Sequence, residues 1–170
     1  MSTRPIAVEF AVPADAAILA GMSRDLIETG LGWHYRRERM EALFRDPDVV
    51  ALVAREGDQA AGFAIMRFGE ARAHLMLMAV TASQRRRGVG GRLLDWLAES
   101  AMTAGVGTLH LELRASNAAA KAFYRARGFA ETLRIPGYYG GRETAIRMIR
   151  ILRARGLTPQ PWRPPTLDPR

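Results

Sequence analysis

Ala73-His74-Leu75-Met76-Leu77-Met78-Ala79-Val80-Thr81-Ala82-Ser83-Gln84-Arg85-Arg86-Arg87-Gly88-Val89-Gly90-Gly91 is the stretch that decides how the rest of the chain folds. Its first eight residues are an apolar run of strand length, which predicts a buried strand over Ala73–Val80. From Val89 onward, Leu93, Leu97 and Ala101 recur at helical spacing, with Leu94 and Ala98 beside them. The turn between strand and helix is therefore made of arginine and glycine. Glycines let successive amide N–H groups point at one anion, the following helix adds its positive N-terminal end, and the arginines supply charge-assisted hydrogen bonds. Such a turn suits a pyrophosphate. It lacks the Lys-Ser/Thr pair of a P-loop and the three spaced glycines of a dinucleotide fingerprint, so neither nucleotide motif is present.

Outward from this stretch the chain alternates strand and helix patterns. Ile6–Phe10 predicts a first strand, and Pro13-Ala14-Asp15 a helix start. That helix is expected to bury Ile18, Met22 and Leu26, widened by Leu19 and Ile27, and to end at Gly30 and Gly32. A short helix is expected over Arg36–Phe44. Two strands, Val49–Arg55 and Ala60–Phe68, are joined through Glu56-Gly57-Asp58 in a hairpin. Beyond the long helix, Gly105 and Gly107 precede Thr108–Arg114, where Leu109, Leu111 and Leu113 alternate with His110, Glu112 and Arg114. Ser116 and Asn117 cap a helix that stops at Gly128, and Phe129–Leu133 and Glu143–Leu152 supply the last strands. These elements predict an α/β domain over residues 1–155. Its core is a mixed, mostly antiparallel sheet of about six or seven strands with helices packed on both faces. Residues 156–170, rich in proline, are expected to form a tail.

At 170 residues the chain has the length of one domain. No uncharged stretch approaches the roughly 20 residues of a membrane-spanning helix, and there is no secretory signal pattern at the N-terminus, so a cytoplasmic protein with no membrane partner is expected. The absence of cysteine removes disulfides, thiolate metal sites and cysteine nucleophiles. A net charge of +8 suits a phosphate-rich ligand or partner, but Lys121 is the only lysine. An arginine skew of that kind also follows from GC-rich coding, so charge alone does not make nucleic acid a partner. Neither His74 nor His110 has a metal-spaced partner, and no metal is expected.

Arg85, Gly88 and Gly90 satisfy the signature of Gln or Arg, two residues, Gly, one residue, then Gly or Ala. On these residues the chain resembles the GNAT superfamily of acyl-CoA N-acyltransferases. The segment Leu111-Glu112-Leu113-Arg114-Ala115-Ser116-Asn117, followed by Ala122-Phe123-Tyr124 and Gly128-Phe129, is similar to the second half of the bacterial ribosomal-protein-alanine N-acetyltransferases. The resemblance is strong from Ala73 to Phe129 and rests on element order before that.

It implies a GNAT-type sheet splayed between its fourth and fifth strands, with a slot for the pantetheine arm of acetyl-CoA. Met78, Ala79 and Val80 would line the slot through their backbones, Arg85, Arg86, Arg87, Gly88, Val89, Gly90 and Gly91 would hold the pyrophosphate, and Asn117 and Tyr124 would meet the arm. Glu112 matches the family's general base and Tyr124 its general acid, with His74 as a second candidate base. The chemistry agrees: an α-amine of pKa about 8 needs only a modest base, and a tyrosine of pKa about 10 stays protonated to meet a thiolate. Trp33, Tyr35, Tyr138 and Tyr139 are aromatics in loop-like segments where relatives hold the amine. The expected function is transfer of an acetyl group from acetyl-CoA to a primary amine, with a protein or peptide N-terminus as one acceptor. A small-molecule amine acceptor and a noncatalytic acyl-CoA-binding module are the alternatives. A homodimer is compatible with all of these.

Overall fold

The computed structural model describes residues 4–152, so the expected tail lies outside the described residues. The elements are β1 (Ile6–Phe10), α1 (Ala16–Leu26, entered through a 3-10 turn at Pro13–Asp15), α2 (Arg37–Arg45), β2 (Val49–Glu56), β3 (Gln59–Phe68), β4 (Arg72–Val80), α3 (Val89–Thr103), β5 (Thr108–Arg114), α4 (Ala118–Ala126), β6 (Ala130–Tyr139) and β7 (Glu143–Ile151). The seven strands form one sheet in the order β1-β2-β3-β4-β5-β7-β6. Every neighbouring pair is antiparallel except β4 and β5, which run parallel.

The sheet separates two apolar layers. On one face Leu52, Ala64, Met66, Ala73 and Leu75 pack with Val89, Leu93, Leu94, Leu97 and Ala101 of α3. On the other, Ala51, Val53, Phe63, Ile65, Leu77 and Ala79 pack with Ala16, Leu19 and Ala20 of α1 and Met40 and Leu43 of α2. A sheet covered on both sides explains why the central strands read as near-continuous apolar runs. The C-terminal stops of α3 and α4 are glycine turns of one kind. In α3 the amides of Gly105 and Val106 return to the carbonyls of Met102 and Ala101. In α4 those of Gly128 and Phe129 return to Arg125 and Tyr124, and the Phe129 ring packs edge-on to Tyr124 at 5.5 Å. The left-handed φ of 88° at Gly128 permits the second turn, and the ring contact is the usual apolar companion of this motif.

Two expectations are corrected. Ile18 does not belong to the buried stripe of α1: it is 55% exposed, while Ala16, Leu19, Ala20 and Ser23 are buried. Small residues let α1 approach the sheet closely, and the larger Ile18 is turned to solvent. The last hairpin is also longer than its pattern suggested. β6 runs through Pro136-Gly137 to Tyr139, with a register shift between Ile135 and Tyr139, so Tyr138 and Tyr139 stand on a strand end and not in a loop. An edge strand with a bulge tolerates proline, which a central strand does not.

β4 carries the irregularity that matters for function. Ile65 of β3 faces Leu77 while the next residue, Met66, faces Leu75, leaving Met76 as an extra residue. The bulge moves β4 from one face to the other: Ala73 and Leu75 pack toward α3, Leu77 and Ala79 toward α1.

Candidate active site

β4 and β5 pair only at Arg72–Thr108, Ala73–Leu109 and His74–His110. Beyond His74 the strands separate, because β5 stays paired to β7 along its full length while β4 stays with β3. The gap is a cavity of about 600 Å³ lined by His74 to Met78 of β4, Leu111 to Arg114 of β5, Asn117, Ala120 and Tyr124 of the α4 region, Tyr138 and Tyr139 of β6, and Leu26 to Thr29, Leu31, His34 and Tyr35 at and after the end of α1. Separation leaves the β4 edge past the bulge without a strand partner on that side. Its N–H and C=O groups are therefore open to an extended ligand carrying amides.

Glu112 lies on the cavity wall with its carboxylate largely buried. Its Oε2 is 2.5 Å from His74 Nε2, and its Oε1 accepts from Arg147 Nε at 2.9 Å. The hydrogen bond from His74, reinforced by Arg147 and opposed by burial, holds the Glu112 carboxyl below the usual carboxylate range. It is ionised at neutral pH. An ionised carboxylate only accepts, so His74 donates through Nε2–H, and in the neutral imidazole the lone pair then lies on Nδ1. The His74 side chain is 44% exposed, against 10% for Glu112. His110 does not line the cavity: it pairs with Thr108 Oγ1, and burial, assisted by Arg72, pushes its imidazole below the ordinary value.

Tyr124 lines the same cavity. It is 8% exposed, stacked edge-on between Phe123 at 5.2 Å and Phe129 at 5.5 Å, and burial raises its hydroxyl pKa far above the ordinary tyrosine value. The glycine turn after α4 binds its carbonyl, so sequence spacing to Gly128-Phe129 fixes where the ring stands. Asn117 caps α4, its Oδ1 accepting from the Ala120 amide at 3.1 Å, and also lines the cavity. Met78 lines it too, whereas Ala79 and Val80 turn their side chains into the two apolar layers and offer only backbone.

The arginine-glycine turn sits at the open end of β4. Arg86 adopts a φ of 61° and Gly88 a φ of 76°, and Gly88 is the N-cap of α3. The first intrahelical bond runs from the Arg92 amide to the Gly88 carbonyl, so the amides of Val89, Gly90 and Gly91 lack intrahelical partners. That arrangement fits a pyrophosphate. A side chain on Gly91 would collide with the Arg127 guanidinium. Arg85 reaches the Val80 carbonyl, and Arg86 makes no side-chain hydrogen bond among the described residues. Arg87, expected as a phosphate ligand, donates to Glu56 and Gln84.

Of the aromatics expected to hold the acceptor, Tyr35, Tyr138 and Tyr139 line the cavity and Trp33 does not. The Trp33 indole N–H donates to the carbonyls of Ala20 and Tyr35, and its ring lies within 5.1 Å of Arg24 and 4.9 Å of Arg36 guanidinium carbons. It is a strut for the loop. Tyr138 and Tyr139 contact each other edge-on at 4.9 Å, and burial raises the pKa of both.

Several residues of the site escaped sequence reasoning. Glu28 is buried and accepts from Ser23 Oγ at 2.9 Å and from the His34 and Tyr35 amides at 2.7 and 3.2 Å, which folds residues 28–35 into the cavity wall. Arg114 donates to the Ile27 and Thr29 carbonyls at 3.0 and 2.6 Å and ties that wall to β5. Arg147 was one arginine among many. Arg114 and Arg147 act on partners 35 to 87 residues away, which no local pattern marks, and Glu28 acts within its own loop, where no motif marks it.

Comparison with known proteins agrees with this geometry. Residues 22–129 match the acetyltransferase (GNAT) family. A ribosomal protein bS18-alanine N-acetyltransferase of Salmonella typhimurium is 45% identical over 94 residues, 54% of this chain and 64% of that protein. The Escherichia coli protein of the same name is 44% identical over 91 residues, 52% of this chain and 62% of its own. The chain thus spans somewhat less than two thirds of these relatives. The crystal structure of the Escherichia coli ribosomal-protein-S18-alanine N-acetyltransferase superposes with a TM-score of 0.78 at 27% identity, over 91% of this chain and 98% of that one. That of Ard1 from Thermoplasma volcanium gives 0.75 at 25% identity, over 86% and 97%. Among the described residues no helix is long and apolar enough to cross a membrane, and no group of three or more His, Cys, Asp or Glu is placed to hold a metal.

Proposed function

The chain belongs to the acetyltransferase (GNAT) family, and from that premise we propose that it moves an acetyl group from acetyl-CoA to the amino terminus of a protein, with alanine as the first residue tried. The observation that carries the proposal is the cavity between the parted strands, lined by the Glu112–His74 pair and by Tyr124. The named activity of the relatives supports the choice of acceptor.

In this reading Val89, Gly90 and Gly91 amides, with Arg85 and Arg86, hold the pyrophosphate, and the open edge of β4 pairs with the pantetheine amides. The Glu112–His74 pair takes the proton that an ammonium must lose before attack. The neutral amine forms the C–N bond at the thioester carbonyl, the C–S bond breaks, and Tyr124 gives its proton to the departing thiolate. A tyrosine raised by burial is a poor acid toward a thiol of pKa about 8.5, so it donates only as it recovers a proton from the nitrogen that has just bonded. One proton in total goes to solvent.

The test is thiol release from acetyl-CoA with a panel of acceptors: short peptides of varied first residue, polyamines, amino sugars and free amino acids. Release confined to peptides, and strongest with N-terminal alanine, is the expected result. Release with small amines alone replaces the acceptor. Tight acetyl-CoA binding with no release from any acceptor overturns the enzyme in favour of a binding module.

A further inference from the structure

The two side chains of the acid–base pair are not equivalent. Glu112 is enclosed, ionised, and bound on both oxygens: Arg147 Nε holds Oε1 and His74 Nε2–H holds Oε2. A carboxylate so engaged has given up the lone pairs that face its partners and is stabilised in its charged form, which weakens it as a proton acceptor. Both side chains line the cavity, but His74 is 44% exposed against 10% for Glu112, and its Nδ1 has no hydrogen-bond partner among the described residues. It also stands at the last paired position of β4, opposite His110, so it marks the floor of the slot where the strands part.

We propose, resting on the transferase reading above, that His74 is the catalytic residue that accepts the ammonium proton, and that Glu112, clamped by Arg147, is the positioning residue that sets its tautomer and orientation. The proton passes from the acceptor ammonium to His74 Nδ1, giving the free amine and an imidazolium whose Nε2–H remains on the Glu112 carboxylate. After transfer the imidazolium releases that proton to solvent. The charged and titratable groups around His74 are Arg67, opposite it on β3 and bound to Asp46, Arg72 on its own strand, His110 and Glu112 on β5, Arg147 on β7, Tyr138 on β6, and His34 and Tyr35 across the cavity. Of these, Glu112 is the one carboxylate within hydrogen-bond distance.

Two measurements decide it. The first is the pH profile of kcat/KM with the acceptor found by the panel. His74→Gln is expected to lower kcat/KM by about 100- to 1,000-fold and to erase the acid limb assigned to the enzyme. Glu112→Gln is expected to cost about tenfold and to keep that limb. Loss of the limb in Glu112→Gln together with near wild-type kcat/KM in His74→Gln overturns the proposal and makes the carboxylate the base. The second is the ¹⁵N spectrum of the histidine-labelled protein without any substrate. A neutral His74 protonated on Nε2, losing that preference in Glu112→Gln, supports the pairing, and an Nδ1–H tautomer in the wild type overturns it. If the wild type releases no thiol with any amine yet shows the Nε2–H tautomer, the transferase reading fails while the Glu112–His74 arrangement stands.

Discussion

Tyr124→Phe separates the chemistry of one hydroxyl from the packing of the ring that carries it. The ring is 8% exposed and held by two edge-on aromatic contacts, and its backbone carbonyl is bound by the Phe129 amide. Phenylalanine keeps all of these. The hydroxyl makes no hydrogen bond to protein among the described residues, so its removal should change stability by less than about 0.5 kcal/mol. Loss of a general acid costs about 100- to 10,000-fold, which at about 1.4 kcal/mol per tenfold is roughly 3 to 5 kcal/mol of transition-state stabilisation. The expected result in a continuous thiol-release assay is a fall in kcat of at least about 100-fold, with KM for acetyl-CoA unchanged within about threefold. An aryl thioester, whose leaving thiolate needs no proton, should recover most of the loss. A Tyr124→Phe enzyme with kcat near wild type, or one whose loss is the same for both thioesters, would refute the assignment of the hydroxyl as proton donor.

Glu28→Ala removes the acceptor for one hydroxyl and two amides that shape the cavity wall, and each hydrogen bond to a charged group is worth about 1.5 to 3 kcal/mol. It should lower the melting temperature measured by calorimetry and raise KM for the acceptor more than KM for acetyl-CoA. In Gly62→Ala the new Cβ would lie 2.9 Å from the Ala79 carbonyl oxygen and 3.2 Å from Val89, at the seat of the arginine-glycine turn. Overpacking of this kind costs about 1 to 3 kcal/mol, so a melting point lower by roughly 5 °C and weaker acetyl-CoA binding are expected by scanning calorimetry and titration. Acid should destabilise the fold through Glu112, Glu56, Asp46 and Glu131, all held below their ordinary values mainly by hydrogen bonds. A depressed carboxyl contributes stability above its unfolded pKa of about 4 and loses it as pH falls through the folded value. Urea midpoints should therefore be level near neutrality and drop below about pH 4, and Glu112→Gln should shallow that drop.

The fold and half the site were legible because their signals are local. The glycine and arginine turn, the alternation of Thr108–Arg114, and the spacing from Asn117 through Tyr124 to Gly128-Phe129 each fit within one turn or strand, and the structure builds each where the pattern placed it. What was not legible depends on partners far along the chain. The bulge at Met76 is invisible within Leu75–Val80, where every residue is apolar. Ile18 matched the helical period as well as Leu19 did, and only the close approach of Ala16 and Ala20 decides which one is buried. Trp33 and Tyr35 are two residues apart and equally aromatic, yet the indole is spent on backbone carbonyls and the phenol reaches the cavity. Arg87 and Arg86 are adjacent and identical in type, and a glutamate 31 residues upstream of Arg87 pairs with that one of the two.

The three-pair ladder between β4 and β5 makes slot depth a countable quantity. The sheet behaves as two leaves, β1 to β4 and β5 to β6, bound along a spine that ends at His74 and His110. Each further parallel pair would advance the spine by about 3.3 Å, so two more would bring it level with Glu112 and close the floor over it. Length of the shared ladder, and not the loops at the rim, is then the dimension to vary in redesigning this scaffold for a longer or shorter acyl group.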